Sequence, residues 1–377
     1  MRTSTQRMLT THTGRLRPSP EQRLAMSESG NGAVSADVVA AFLQRQSEIG
    51  LDFVDDGGVV RSSLNDFALT SLTGFEKAGD GEWFDIHAPE TSDFPDFFSS
   101  AYQGRADVPR LVCTGPVSWA GESELQERLE RLKAGLNGRA PEDAFIDARA
   151  PTVLAHRALN RHYANEDDYL HAVAAAVQRQ FRSIVDAGFL LHVDMPLQGA
   201  RYKTTDNGDS HAEIRKNLSR DIEILNFALA DIPPESVRLH VCYGTSEGPH
   251  HRDPELSQIV DVVLSARPAA LMVVGANGRH EHEWQVWEKV KLPDGKVLIP
   301  GVIDSTTNII ENPEAVSERI VRYAGAVGRE NLIAGVDCGF APGAGIRPEY
   351  QVSSDVMWAK LTSLVQGAAL ASSLLWA

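Results

Sequence analysis

The chain has 377 residues, of which 42% are hydrophobic and 23% charged, the make-up of an ordinary globular protein with room for one large core. Its 36 Lys and Arg against 51 Asp and Glu leave a formal charge of -15, which argues against nucleic-acid binding because a phosphate backbone is held by clustered cations. No run of about 18 apolar residues offers a membrane span, and Met1 to Arg17 lacks a secretory leader's apolar stretch, so a cytoplasmic protein with neither nucleic-acid nor membrane partner is expected.

Along the chain, short apolar runs alternate with helical stretches, the pattern of parallel strands joined by crossover helices. The runs are Leu9 to Gly14, Leu51 to Asp55, Arg110 to Gly115, Thr152 to His156, Phe189 to Asp194, Arg238 to Tyr243, Ala270 to Gly275, Val297 to Asp304 and Leu332 to Asp337. They predict an α/β fold closed as an eight-stranded (β/α)8 TIM barrel, one domain over residues 1–377. Nine runs exceed eight strands, so one is a helix-flanking extension or the early barrel is irregular. Among the helices, Leu125, Leu129, Leu132 and Leu136 share a face. Asn165 caps a helix burying Tyr169, Val173, Val177, Phe181 and Ile184, and Gly188 stops it. Asn312 and Pro313 start another, and a last helix runs from about Asp355 to Trp376. Two excursions interrupt the pattern: Gly79 to Ser99, and the polar Gly199 to His211, either a substrate lid or a surface loop.

The chemistry concentrates in RLHVCYGTSEGPHHR, residues 238–252, where His240 and Cys242 alternate along a strand and share a face. Cys338, in GVDCGF, ends another run, and a barrel would bring it to the same rim. Three cysteines are too few for a disulfide framework in a chain of this size, so reduced thiols are expected. One imidazole and two thiolates with an open fourth position make a catalytic zinc set. By spacing alone, buried core Cys and His remain an equal alternative. His12 ends the first run as either a site residue or a rim histidine bonded to backbone. The run His280, Glu281, His282, Glu283 reads as orienting groups or solvated side chains, His250 and His251 likewise, and Cys113 as a small buried residue.

The sequence resembles the cobalamin-independent methionine synthase superfamily, catalytic-domain type, and its single-barrel branch that includes epoxyalkane:coenzyme M transferases. The likeness runs through LTTHTG at Leu9, LDFVDDGG at Leu51, CTGPVS at Cys113, GFLLHVDMP at Gly188, RLHVCYG, NGRHEHEW at Asn277, LIPGVIDSTTN at Leu298, GVDCGF and WAKLTSLVQGAALAS at Trp358. It implies a barrel of the methionine synthase/uroporphyrinogen decarboxylase-like type and a zinc cofactor on His240, Cys242 and Cys338. By position Asp194 matches the family's acidic residue that contacts the substrate; Asp194 and His12 are the candidate catalytic groups, and Arg15, Asp194, Tyr243 and Asp304 the candidates around the substrate. A small-molecule thiol and an alkyl donor are the implied partners; homo-oligomer formation stays open.

Four positions depart from the family pattern. The acidic zinc ligand falls at Val274, leaving water, the substrate thiol, Glu247, His280 or Glu281 for the fourth place. A Glu becomes Gly58, a Ser becomes Arg15, and an acid-acting His becomes Thr306. These exchanges weaken a homocysteine site, and Arg15 adds a fork suited to carboxylate, sulfonate or phosphate. The expectation is a zinc-dependent methyl or alkyl transferase acting on a thiol. The alternatives are a lyase or rearrangement catalyst on a sulfur- or nitrogen-containing metabolite, and a non-catalytic metal- or corrinoid-partner-binding protein.

Overall fold

The computed structural model describes residues 1–23, 36–58, 64–79, 83–85, 87, 89–102, 107–205, 210–341, 346–347 and 351–377. Eight staves close into a parallel barrel. Leu9–Thr10 pairs with Ile333–Ala334, joining the first stave to the eighth. Residues 52–54 form the second, since the Asp52 and Phe53 amides donate to the Thr10 carbonyl at 3.2 Å and Val54 bridges Ala144 beside the third stave. Phe145–Arg149, Leu190–Pro196, Val237–Cys242, Ala270–Val273 and Val297–Pro300 follow as one continuous parallel sheet. Bridges Leu298–Leu332 and Gly301–Gly335 return the ring to the eighth stave. Strands covered on both faces can be apolar on both, which explains their legibility as plain apolar runs.

The exception is the third stave, and it corrects two sequence expectations. Thr152 to His156 is a helix, Pro151–Ala155, because Pro151 sits at its first position where proline is pre-organised for helix. The true stave, Phe145–Arg149, reads FIDAR and carries Asp147 and Arg149 toward the barrel interior, which broke the apolar run. Arg110 to Gly115 lies outside the barrel: Leu111–Cys113 pairs with Phe75–Lys77 and Ala158–Asn160 in a small separate sheet.

The helical layer follows its sequence signals. In Glu166–Asp186 the Asn165 side chain accepts from the Asp168 amide, and Tyr169, Val173, Val177, Phe181 and Ile184 face the staves. Burying each large apolar side chain contributes about 1.5–3 kcal/mol, so Phe181→Ala would cost about 3–5 kcal/mol through the cavity it leaves. Asn312 caps Pro313–Val327, and the last helix is Ser354–Leu375. Among the described residues no helix is long and apolar enough to cross a membrane.

The excursion after the second stave reaches across the barrel mouth. Its short helices Glu90–Asp93 and Pro95–Ala101 touch the far loops: Glu90 pairs with Lys203 at 3.0 Å, and Asp93 with Arg252 at 2.7 Å. On the opposite side Tyr102 bridges Ile346, and the Arg347 amide donates to the Ala101 carbonyl at 2.9 Å. Phe98, Ala101, Tyr102 and Ile346 form a minor core of their own. The expected lid Gly199 to His211 lies partly outside the described residues; its described start is fixed, with the Thr204 amide donating to the Arg252 carbonyl at 2.7 Å.

Candidate metal centre

Register aligns the site before any side chain is considered. Arg149 lies opposite Asp194, Asp194 opposite His240, and Pro196 opposite Cys242, so the C-terminal ends of the third to fifth staves present one row of polar groups. Asp194 Oδ1 is 2.8 Å from His240 Nδ1, and its other oxygen pairs with Arg149. That contact leaves His240 Nε2 directed at the eighth stave, 3.0 Å from the Asp337 carbonyl. The next residue, Cys338, brings its Sγ 3.2 Å from Cys242 Sγ. The ligand atoms of His240, Cys242 and Cys338 lie within 4.8 Å of one another, all buried.

The two sulfurs are unequal. Burial pushes the Cys242 thiol up, and the neighbouring Cys338 thiolate pushes it further. Cys338 is pulled well below the usual thiol range, chiefly by the hydrogen bond from Cys242, then by His240 and the Arg15 charge. A tetrahedral zinc with sulfur at about 2.3 Å holds two thiolates about 3.7 Å apart, so this pair would spread by about half an ångström. The soft donors, and the carboxylate fixing the far nitrogen of the imidazole, fit zinc.

Val274 is one residue beyond the Val273–Val241 pair, hence level with Cys242 on the adjacent stave, and it is buried. No carboxylate, and no further His or Cys, joins the three ligands among the described residues. His280 is engaged elsewhere, and Glu247 and Glu281 are exposed. The loop after Val274 is held instead by Asp337, whose carboxylate accepts from the Gly275, Ala276 and Asn277 amides at 2.8, 2.9 and 2.6 Å. Burial raises Asp337 to about 7. Gly301 makes room for it: a Cβ there would meet Asp337 Oδ1 at 1.8 Å.

Arg15 has a left-handed backbone, φ 52°, and its carbonyl accepts from the Phe340 and Ala341 amides at 3.1 and 2.8 Å. A Cβ on Gly58 would come 2.9 Å from the Arg15 nitrogen, so the acidic side chain of the family pattern has no space here. Among the described residues the Arg15 guanidinium makes no hydrogen bond or ion pair, and its charge acts on Cys338.

Three other expected site residues are not brought to the cluster. His12 is fully buried, with Nδ1 accepting from the Gly14 amide at 3.0 Å and Nε2 against Gln46 at 2.7 Å; burial lowers it to about 3. Tyr243 points to the opposite face of its stave and donates to the Pro254 carbonyl at 2.9 Å. Asp304 closes a turn, accepting from the Thr306 amide at 2.9 Å and hydroxyl at 2.8 Å. Cys113 is buried in the small sheet.

Two supports were not anticipated. Arg149 was hidden in the unrecognised third stave; Asp337 stood in plain view beside Cys338, without a signal for its amide contacts. A layer deeper, Arg238 donates to His192 Nδ1 at 2.9 Å and Thr11 Oγ1 at 2.8 Å, and His192 stacks on His240 with centroids 5.5 Å apart. Burial drives Arg238 down to about 9.

No family model matches the chain. Protein YxjH of Bacillus subtilis (strain 168), whose function is uncharacterised, is 22% identical over 94% of this chain and 92% of its own. A methionine synthase of Saccharolobus islandicus (strain Y.N.15.51 / Yellowstone #2) is 21% identical over 88% of this chain and 82% of its own. The structure of a B12-independent methionine synthase from Shewanella sp. W3-18-1, in complex with selenomethionine, superposes with a TM-score of 0.73 at 17% identity, covering 98% of this chain and 99% of that one. The chain is thus similar over most of its length to a protein named methionine synthase, and it shares the barrel fold of a B12-independent methionine synthase.

Proposed function

We propose that the protein is a zinc-dependent transferase that moves a methyl or other alkyl group onto a substrate thiol, with His240, Cys242 and Cys338 as the metal ligands. The observation that carries the reading is their convergence from two staves, with His240 Nδ1 fixed by Asp194. Zinc, when bound, makes a coordinating thiol a thiolate at neutral pH, which is the nucleophilic form. Asp194 fixes the imidazole tautomer and ring plane. Val274 supplies no anion, so the fourth position falls to solvent or substrate. Arg15, at the mouth beside Cys338, is set to pair with an anionic end of the substrate. The helices across the mouth limit water around the reacting atoms. The sequence relative named methionine synthase supports the same class of chemistry.

The test is metal content by plasma spectrometry, together with thiol alkylation, for the wild type and for Cys242→Ser and Cys338→Ser. Each variant is expected to hold about one zinc per chain fewer than the wild type, with activity lost. A wild type that stays metal-free after reconstitution, with transfer unaffected by either change, sinks the proposal. The missing carboxylate at Val274 favours one rival, a lyase or rearrangement, which would turn over a single substrate without an alkyl donor.

A further inference from the structure

Behind the thiolates lies a second cluster. Cys242 faces the barrel interior and Tyr243 the opposite side, where its ring lies flat on His280, centroids 4.4 Å apart and planes 11° apart. His280 Nε2 is 3.2 Å from Asp253 Oδ2, and His250 Nδ1 is 2.7 Å from the same oxygen. The far nitrogen of each ring is anchored: His280 Nδ1 to Glu283 Oε2 at 3.1 Å, His250 Nε2 to the Ser246 carbonyl at 3.1 Å. Anchoring one nitrogen to oxygen while the other faces a common point is how proteins orient metal-binding histidines. The three ligand atoms lie within 4.8 Å of one another, and Asp253 and His280 are 1% and 2% exposed.

We propose that His250 Nδ1, Asp253 Oδ2 and His280 Nε2 form a second metal site, separate from the thiolates, for a divalent transition ion of the zinc, cobalt or nickel class. Two imidazoles and one carboxylate suit such ions and disfavour the all-oxygen shells of calcium and magnesium. Lys203 holds the other Asp253 oxygen and Glu90, leaving Oδ2 available. Charge does not oppose entry. Without metal, both nitrogens of both rings face acceptors, so two imidazolium rings and Lys203 balance Glu90, Asp253 and Glu283. One divalent ion in place of two imidazolium protons keeps that balance. The ion would tie the loops after the fifth and sixth staves, and through Lys203 and Glu90 the helices across the mouth.

Cobalt(II) titration of the full chain, stripped of metal by chelator, distinguishes the two sites, since thiolate ligation gives strong near-ultraviolet charge transfer and a nitrogen–oxygen site gives weak visible bands alone. The wild type should retain two cobalt ions per chain after desalting. The Cys242→Ser/Cys338→Ser double variant should retain one, without the near-ultraviolet band, and His280→Gln should retain one, with it. A single ion in the wild type that carries the near-ultraviolet band, none in the double cysteine variant, or a second ion that survives His280→Gln but not His282→Gln overturns the proposal. Absence of the near-ultraviolet band counts against the thiolate site alone, so the two readings fail separately.

Discussion

Asp194→Asn isolates the work of one carboxylate. In the wild type its Oδ1 holds His240 Nδ1 at 2.8 Å and its other oxygen lies against Arg149, in a position 7% exposed. Asparagine keeps the shape and a carbonyl acceptor but removes the negative charge that makes the imidazole a better donor to metal. Loss of such a supporting carboxylate lowers metal affinity about 10- to 100-fold, or about 1.4–2.8 kcal/mol at 1.4 kcal/mol per decade. The assay is zinc competition against a chromophoric chelator, with thermal melts of the metal-free variant checking that the barrel stays folded. The zinc Kd should rise within that range while stoichiometry holds. Unchanged zinc affinity, with the loss confined to the substrate KM, would refute the orienting role and return Asp194 to direct substrate contact.

Val274→Glu places a carboxylate level with Cys242; the metal-free protein should melt lower because a buried charge is desolvated, while the zinc Kd falls about tenfold or more, about 1.4 kcal/mol, and equal Kd values would show the register argument wrong. Arg15→Ala should raise KM for an anionic substrate more than it lowers kcat, as loss of uniform binding does; a fall in kcat alone would count against it. Asp221 is buried, 3.6 Å from Arg201, and desolvation raises it to about 7. A carboxyl whose folded pKa is raised is stabilising while protonated, and that contribution is lost as pH rises from about 4 through about 7. Asp221→Asn should therefore flatten the stability profile across that window and stabilise the protein above it by up to about 4 kcal/mol at 1.36 kcal/mol per unit; unchanged melts at pH 8 would contradict this.

Much of the fold was legible because its signals are local. Asn165 and Asn312 mark helix starts by satisfying free amides within three residues, and alternation along one strand puts His240 and Cys242 on one face wherever that strand goes. The third stave escaped because charged side chains at its inward positions serve the site instead of the core, and Thr152 to His156 was apolar enough to imitate it. The distance from Cys242 to Cys338, 96 positions along the chain, depends on ring closure through the eighth stave, a non-local event no spacing encodes. Asp337 illustrates the same limit: its place beside Cys338 is written in the sequence, but its grip on the Gly275 to Asn277 amides arises where two loops meet. The histidines of the second cluster looked like solvated or orienting side chains, and folding buried His280 between Asp253, Glu283 and the Tyr243 ring. Residue type and period set which chemistry was available; register and loop packing, which act between distant segments, decided which side chains meet.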